Sequence, residues 1–308
     1  MHYDDYTVFR SPLERQRGRG QRLLASNSPG YPKDHFAAAR LRSIGARAVT
    51  GQRRVEGDGH RVSSRTAEHR VGIPVATERW STVTFLHWQC ASAVIQPRLP
   101  SGVTVDEYDG SAWLTITPFV LSGIRPLGGP VVPDCRSLGP RPGRQKGLME
   151  IRGINLRTYV HGPDGRDGLY FLSQDTSSMA FAVVARVFLG APYHWGRLAV
   201  EQRDGAVSYT GARLGSRVSH RLSVRPGDGA EPDARNTWLT GRWRAYTQRA
   251  GRLLVTPVQH EPWPLRTATV ELLEQTLTSA LDLPGPVRPL VHFSEGVHQV
   301  RNGFTRPL

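Results

Sequence analysis

Three polar side chains that could bind a small molecule recur at every second position between residues 154 and 160. They are Asn155, Arg157 and Tyr159, and the residues between them are apolar or β-branched. This period of two is typical of a half-buried strand with an amide, a guanidinium and a phenol in one row. Because a guanidinium binds a carboxylate through two parallel hydrogen bonds, the row predicts a carboxylate site if it faces a cavity. If the row faces outward, Arg157 is one solvated arginine among many.

Two further candidates follow a predicted helix. The segment Met179–Leu189 is continuously apolar, with two serines before it and a Gly-Ala-Pro turn after it, which predicts a buried helix with a defined start and stop. Its end delivers Tyr193 and His194. A phenol and an imidazole can both donate and accept protons, so these two are the predicted catalytic residues, in the same space as Arg157.

The sequence lacks the residue patterns that metal and cofactor sites require. The histidines show no H-x-x-H or H-E-x-x-H spacing, and Cys90 and Cys135 alone are too few for a zinc site, so no metal is predicted. No Walker loop or dinucleotide-binding glycine pattern has its strand and helix context, and no cofactor is predicted. His260 precedes a Pro-Trp-Pro segment. It is a candidate for contacting a ligand in the cavity, with a packed or surface imidazole as the alternative.

The composition restricts the class of protein only loosely. The formal net charge is +14, and 38 of the 40 basic residues are arginine. This bias is more typical of a high-GC coding sequence than of a nucleic-acid surface, and no nucleic-acid-binding motif accompanies it. No apolar run is long enough to span a bilayer, and the amino terminus lacks a secretion-signal pattern. We therefore expect a soluble cytoplasmic protein with no membrane contact. A nucleic-acid partner, bound through the basic tail and surface, is the third and least favoured hypothesis.

The composition and the hydrophobic pattern of the chain change near residue 70. Residues 1–70 are rich in glycine and arginine and have no apolar period, which predicts a disordered basic tail that folding does not need. A mis-assigned upstream start codon would produce the same kind of composition. Residues 71–308 are predicted to form a single α+β domain, a mostly antiparallel curled sheet or cone-shaped β-barrel with a few helices. A long Pro/Gly-rich loop over 125–147 predicts a lid or mouth loop.

Hydrophobic periodicity and turn residues predict the elements that must position the candidate residues. Strands are predicted over residues 82–88, 112–121, 155–160, 169–173, 207–211, 218–224, 252–259 and 290–293. Besides the helix at 179–189, short helices are predicted over 91–99 and 237–246, and an amphipathic helix over 270–283. The Gly/Asp-rich turn over 161–168 predicts that its two flanking strands pair antiparallel.

Several motifs occur in the order that characterises one family. They are Asn155-Leu-Arg-Thr-Tyr-Val160, Gly168-Leu-Tyr-Phe-Leu-Ser173, Leu239-Thr240 with Arg242, and His260-Glu-Pro-Trp-Pro-Leu265. Over about residues 75–302 the chain resembles the uncharacterised bacterial DUF2071 (YqjF-like) family, which in turn resembles acetoacetate decarboxylase. The resemblance implies a cone-shaped barrel with a central cavity. The chain departs from the family pattern at Gly153 and Gly241, where glutamate is usual.

The likeness to the decarboxylase also implies what the chain lacks. Those enzymes carry two adjacent lysines after a Gly-x-Pro turn, one of which forms a Schiff base with the substrate. Tyr193 and His194 stand at the matching positions here, and the only lysines are Lys33 and Lys146. We therefore predict a small-molecule enzyme, or enzyme relative, that binds a carboxylate- or carbonyl-bearing compound without an imine. The alternative is a non-catalytic binding protein with the same cavity, and a homo-oligomer is left open.

Overall fold

The computed structural model describes residues 63–127, 129–130 and 149–308, and the fold within them is dominated by one large sheet. Its strands are β1 (Ala76–Cys90), β2 (Thr104–Val105), β3 (Ala112–Pro126), β4 (Ile151–His161), β5 (Asp167–Thr176), β6 (Tyr193–Arg203), β7 (Ala206–Arg213), β8 (Ser219–Gly229), β9 (Arg244–Arg249), β10 (Arg252–Gln259), β11 (Leu265–Gln275), β12 (Leu290–Asn302) and β13 (Arg306–Pro307). The α-helices are α1 (Ser92–Ile95), α2 (Met179–Val184) and α3 (Ala234–Thr240). A π-helical turn, Ala185–Leu189, continues α2, and 3-10 turns cover Gln96–Arg98 and Ser279–Leu281.

The strands pair in the order β13-β10-β9-β5-β6-β7-β8-β11-β12-β1-β3-β4-β2, with further pairings of β10 with β12 and of β5 with β4. Strands β1, β3, β4, β5, β9, β10 and β12 are therefore connected in a closed circuit of pairings. All pairs are antiparallel except β5 with β6 and β5 with β9. This confirms the predicted α+β fold on a mostly antiparallel curled sheet, and it confirms the predicted pairs β4–β5 and β7–β8.

The two faces of β1, β3 and β4 differ in chemistry. One face packs Leu86, Ile116 and Leu156 into the largest apolar core, together with residues of β7, β8 and β12. The opposite face carries polar side chains, which the strand register places side by side. We call it the polar face and define it by His87, Thr115, Thr117, Asn155, Arg157 and Tyr159. All six are buried, so the prediction of a half-buried strand is wrong: β4 is covered on both faces.

Helix α2 and its π turn begin and end where the sequence predicts. The Ser178 side chain accepts a hydrogen bond from the Phe181 backbone N–H, and Gly190 ends the helix with a φ of +63°. The burial prediction is wrong, however. Phe188 is 65% exposed, and Met179, Val183, Val184 and Val187 are also more than half exposed. The buried side consists of small residues, Ala182 and Ala185, so the helix lies on the surface.

Two other helix predictions are wrong in an instructive way. Residues 270–283 form most of β11 followed by the 3-10 turn, not an amphipathic helix. The pairing of β11 with β8 shifts register between Val270 and Leu272, so Leu273 joins Val270 on the apolar side. Because of this shift, apolar residues three positions apart face the same side, as they would in an amphipathic helix. Of the helix predicted over 237–246, only the first part is helical, because the chain enters β9 at Arg244 and pairs with β10.

Residues just before the predicted domain boundary lie against the sheet. The Ser64 carbonyl accepts a hydrogen bond from the Trp243 indole, Glu68 forms an ion pair with Arg244, and the Val71 N–H donates to Gln259. The rest of the predicted tail, residues 1–62, and most of the predicted lid loop, residues 128 and 131–147, lie outside the described residues. Within the described ranges, no helix has the length and apolarity that a membrane span needs.

Candidate functional site

The Arg157 guanidinium is the central group of the polar face. The residue is 9% exposed, and its side chain lies over the Phe85 ring with the guanidinium carbon 5.3 Å from the ring centre. Burial lowers the pKa of the guanidinium, and the neighbouring Tyr159 opposes that shift. Among the described residues no carboxylate lies within ion-pair distance, and Nε is buried without a hydrogen-bond partner. Because an unpaired buried charge costs several kcal/mol, the position is suited to an anion that comes from outside the chain.

A directional hydrogen-bond chain crosses the polar face beside Arg157. The Tyr159 hydroxyl donates to the Leu239 carbonyl at 2.9 Å and lies 2.8 Å from the Thr115 hydroxyl. Since the phenol has one proton, Thr115 must donate to Tyr159, and His87 Nδ1 must in turn donate to Thr115 at 2.9 Å. Burial lowers the pKa of His87 well below its usual value, so the ring is neutral. Its Nε2 is therefore a buried acceptor, and it has no partner among the described residues.

His260 stands in a box of indole rings. Its ring centre lies 4.7 Å from that of Trp243, 4.9 Å from that of Trp263 and 5.6 Å from that of Trp80. Nδ1 donates to the backbone carbonyl of Glu261, which leaves Nε2 as an acceptor in the neutral ring. Burial lowers the pKa of His260, and the charge of Arg157 adds to this effect, so the two groups share one electrostatic environment.

Other residues on and next to the polar face also carry unpaired polar atoms. Asn155 and Thr117 are directly paired across β4 and β3, and the amide oxygen and the hydroxyl are both buried without a partner in the described part of the chain. His292 on β12 lies 5.6 Å from His87, ring centre to ring centre, and its Nδ1 is likewise unpaired. Unsatisfied buried polar atoms are rare in folded proteins, so this concentration of them indicates a place where a ligand or water completes the hydrogen bonding.

Tyr193 and His194 do not meet. They are consecutive in β6, where side chains alternate between faces. Tyr193 pairs with Gln174, which pairs with Asn155, so the phenol lies on the side of the polar face. His194 pairs with Asp175 and lies beside Arg186, whose guanidinium is 3.2 Å from Nδ1. Burial and the adjacent arginines lower the pKa of His194 to about 4. The expectation that both residues share the space of Arg157 is therefore wrong for His194.

A cleft of about 200 Å³ lies next to these groups. It is lined by α3, through Asn236 and Thr240, and by the segment from Pro262 to Leu265. Trp243 and Trp263 line the cleft and also contact His260, so the cleft and the indole box share two walls. The buried amide oxygen of Asn236 has no partner among the described residues. A ligand entering this cleft would contact the aromatic walls formed by Trp243 and Trp263.

The network around Arg242 holds α3 over the polar face. The guanidinium lies 2.6 Å from Asp106 and 3.1 Å from Asp167, and it stacks over the rings of Trp238 and Tyr159. It also donates to the carbonyl of Trp238. This buried arginine pairs with two carboxylates through Nη1, in contrast to Arg157, while its Nη2 has no hydrogen-bond partner among the described residues. Its contacts hold α3 against the phenol of Tyr159. In the described residues, no group of His, Cys, Asp and Glu side chains is arranged to hold a metal ion.

Comparison with known proteins identifies the family to which the chain belongs. The profile of DUF2071, described as an uncharacterized conserved protein, matches residues 77–298. The chain belongs to the DUF2071 family. It is 30% identical over 229 residues to the uncharacterized protein YqjF of Bacillus subtilis (strain 168), which covers 73% of this chain and 89% of YqjF.

Solved structures of low sequence identity share the fold of this DUF2071 protein. An acetoacetate decarboxylase-like enzyme from Sphingomonas wittichii RW1 matches with a TM-score of 0.51 and 16% identity, over 77% of this chain and 94% of that one. The enduracididine biosynthesis enzyme MppR complexed with pyruvate matches with a TM-score of 0.52 and 13% identity, over 78% and 93%. These likenesses establish an acetoacetate decarboxylase-like fold.

The structure explains both departures from the usual DUF2071 pattern. A Cβ atom at Gly153 would lie 2.5 Å from the Phe119 ring, and one at Gly241 would lie 2.5 Å from the Ser64 carbonyl oxygen. In this chain an aromatic ring and a backbone segment fill the space that the two glutamates would need. Neither acidic role is available at those positions.

Sequence reasoning missed His87, Thr115 and His292. Their positions along the chain have no common spacing, and only the pairing of β1 with β3 and with β12 brings them together. The alternation of side chains between the two faces of β1 could have revealed His87, because it places His87 on the same face as Phe85. Asn155, Arg157 and Tyr159 lie on one face of β4, as their spacing within one strand predicts, and their role in binding stays a prediction.

Proposed function

We propose that this DUF2071 protein binds a small carboxylate- or carbonyl-bearing compound on the polar face, with Arg157 pairing with the carboxylate. The observation that carries the proposal is the buried guanidinium that has an unpaired Nε and no carboxylate partner among the described residues. An anion bound there would supply the missing charge and hydrogen bond. The Phe85 ring offers only a weaker contact with the cation.

The neighbouring groups define what else the ligand would touch. Asn155 supplies an unpaired amide oxygen, and His87 and His260 each present a neutral imidazole nitrogen that accepts a hydrogen bond. Tyr159 is committed to Leu239 and Thr115, so it orients the site rather than donating a proton. If the bound compound reacts, we assign the role of proton acceptor to the neutral imidazole of His87, which burial makes a weaker base than a free histidine. MppR, which shares the fold, is described as complexed with pyruvate, a small oxo acid.

A non-catalytic binding protein is the second candidate. In that case His87 and His260 only accept hydrogen bonds, and the ligand leaves unchanged. The two candidates predict the same binding and differ only in turnover, which NMR of the ligand after prolonged incubation would detect. In neither case do we expect an imine, because Tyr193 and His194 stand where the decarboxylase pattern has lysines. Borohydride reduction in the presence of an oxo acid should leave the protein mass unchanged, and a reduced adduct at Lys146 would contradict this.

Thermal-shift titration tests the proposal directly. Propionate and benzoate should stabilise the folded protein, whereas propionamide and benzamide, which lack the charge, should not. Arg157→Leu should abolish the carboxylate response, a loss of roughly 1.5–3 kcal/mol in ligand-induced stabilisation. Its own unfolding free energy should not fall, because the change removes an unpaired buried charge.

The matched control is Arg225→Leu, which removes an exposed arginine that is paired with Glu271. This variant should keep the full carboxylate response. Equal responses to acids and amides, or an unchanged response in Arg157→Leu, would contradict the proposed function.

A further inference from the structure

Arg157 and His87, two of the buried polar groups with an unpaired atom, contact the same aromatic ring. The guanidinium carbon of Arg157 lies 5.3 Å from the centre of the Phe85 ring, and the His87 imidazole stacks on that ring at 5.8 Å. In the register of β1, β3 and β4, Thr115 pairs with His87 on one side and with Arg157 on the other. His292 pairs with Phe85, and its ring centre lies 5.6 Å from that of His87. One small molecule placed against the Phe85 ring therefore lies beside both Arg157 and His87.

The unpaired nitrogen of His87 has a fixed hydrogen-bonding role. Its Nδ1 lies 2.9 Å from the Thr115 hydroxyl and 3.2 Å from the Tyr159 hydroxyl, whose own proton is donated to the Leu239 carbonyl. Nδ1 therefore carries the ring proton, and Nε2 of the neutral ring only accepts hydrogen bonds. Burial lowers the pKa of His87 well below its usual value, so Nε2 stays unprotonated at neutral pH.

The other unpaired atoms near Arg157 can adapt to a ligand. The Asn155 amide can turn to present its oxygen or its nitrogen, the Thr117 hydroxyl both donates and accepts, and the His292 ring has two neutral tautomers. Nε of Arg157, in contrast, only donates. Among the buried unpaired atoms of the polar face, as far as the structure describes it, the ligand thus meets one obligate donor on a cation and one obligate acceptor on a neutral ring.

An obligate donor beside an obligate acceptor distinguishes small acids by their second polar group. The carboxylate pairs with Arg157 in every case. An oxo group only accepts hydrogen bonds, so it would leave His87 Nε2 unpaired and would place two acceptors against each other. An ammonium group donates, but it brings a second cation next to a guanidinium that has no carboxylate within ion-pair distance among the described residues. A hydroxyl group donates and adds no charge.

We propose that the ligand is a hydroxy acid, whose carboxylate pairs with Arg157 and whose hydroxyl group donates to His87 Nε2. The inference rests on the proposed function for the carboxylate contact, and it names the substrate class of that same site. Since Arg157 and His87 contact one ring, the hydroxyl group belongs on the α or the β carbon of the acid.

Three-carbon acids that differ in one group test this assignment by isothermal titration. The wild type should bind lactate or β-hydroxypropionate at least about fivefold more tightly than propionate, the effect of roughly one additional hydrogen bond. Pyruvate, alanine and α-fluoropropionate should bind no more tightly than propionate. The fluoro acid is close in size to lactate but has no proton to donate.

A pair of variants tests the role of His87. His87→Phe keeps a ring on Phe85 but removes the acceptor, so this variant should bind the hydroxy acids and propionate equally. The matched control is His220→Phe. It replaces another buried histidine whose Nδ1 is unpaired in the described part of the chain, but which lies on β8 against Gly211. This control should keep the full preference for the hydroxy acid.

The outcomes separate this inference from the proposed function. If the wild type binds propionate and both hydroxy acids equally, the hydroxy-acid assignment is overturned while the carboxylate site at Arg157 stands. Pyruvate, alanine or α-fluoropropionate binding as tightly as the preferred hydroxy acid would also overturn it, as would a preference that survives in His87→Phe. If none of the acids binds, the proposed function fails and this inference fails with it. Should His87→Phe not fold, the comparison of the hydroxy acids with α-fluoropropionate and propionate in the wild type decides.

Discussion

At the scale of single residues, the buried imidazole of His292 contributes to the pH dependence of stability. Burial lowers the pKa of His292 to about 4, with Asp233 opposing the shift and Arg235 adding to it. An unfolded histidine titrates near ~6.5, so between that value and about 4 the unfolded chain binds the additional proton. The stability associated with His292 is therefore complete above about pH 6.5 and is lost as the pH falls toward 4.

We predict that His292→Gln makes the pH dependence of unfolding shallower in this window. The change in unfolding free energy per pH unit should be smaller than in the wild type by up to about 1.4 kcal/mol, because one titrating group is removed. Chemical denaturation at several pH values would measure this. The control, His298→Gln, replaces an exposed histidine of the same strand and should keep the wild-type slope. A wild-type slope in His292→Gln would show that the imidazole is not held neutral by the fold.

The residues of the site differ in how far the sequence could reveal them. Asn155, Arg157 and Tyr159 share one strand, so their common face follows from local geometry. His194 was assigned to the wrong space because Tyr193 and His194 were taken to end a helix, whereas they open β6 and point apart. Glu78 shows no sequence signal at all. Its burial and its hydrogen bond with Asn302 follow only from the pairing of β1 with β12.

At the scale of elements, the close approach of β1 and β12 fixes the indole of Trp80. Gly296 faces an irregularity in β1 and has a φ of +132°. A Cβ atom there would lie 2.0 Å from the Trp80 carbonyl oxygen and 2.7 Å from the Ser81 Cα, so backbone rather than a flexible side chain blocks it. Only glycine combines this dihedral angle with this contact.

We predict that Gly296→Ala lowers the unfolding free energy by roughly 2–4 kcal/mol, from backbone strain and overpacking together. It should also disturb the hydrogen bond from the Trp80 indole to Glu78, because the Trp80 backbone would shift. Gly229→Ala is the matched control, since nothing lies within 4 Å of a Cβ at that strand position. Denaturation midpoints that are equal in the two variants would contradict the prediction.

Elements whose pattern agreed with their pairing were predicted correctly, such as β3, β4, β5 and the β7–β8 hairpin. The failures share a cause: tertiary pairing overrode local periodicity. The register shift in β11 gave an apolar spacing that a single sequence cannot distinguish from a helix. Helix α2 and its π turn were taken as buried because their residues are apolar, although their exposed side carries Val183, Val187 and Phe188.

At the scale of the whole molecule, a short segment before β1 closes the fold next to the site. Ser64 accepts a hydrogen bond from Trp243, and its carbonyl oxygen occupies the space beside Gly241. Glu68 pairs with Arg244, which is otherwise 3.9 Å from Asp167. Arg65 lines the cleft together with Trp243. The segment therefore supports the connection from α3 to β9, which carries Arg242 onto Tyr159.

Two truncations should separate this segment from the preceding residues. We predict that a chain starting at residue 63 keeps the unfolding free energy and the carboxylate response of the full chain, because residues 1–62 have no apolar period. A chain starting at residue 71 should lose roughly 2–4 kcal/mol, since Arg244 and the Trp243 indole would lose their partners. Glu68→Gln in the full chain isolates the ion pair and should account for only part of that loss. Urea denaturation of the four proteins, followed by benzoate titration, would measure both effects. Equal stability of the two truncations would show that the segment contributes nothing, and unfolding of the chain starting at residue 63 would show that the residues before it are required.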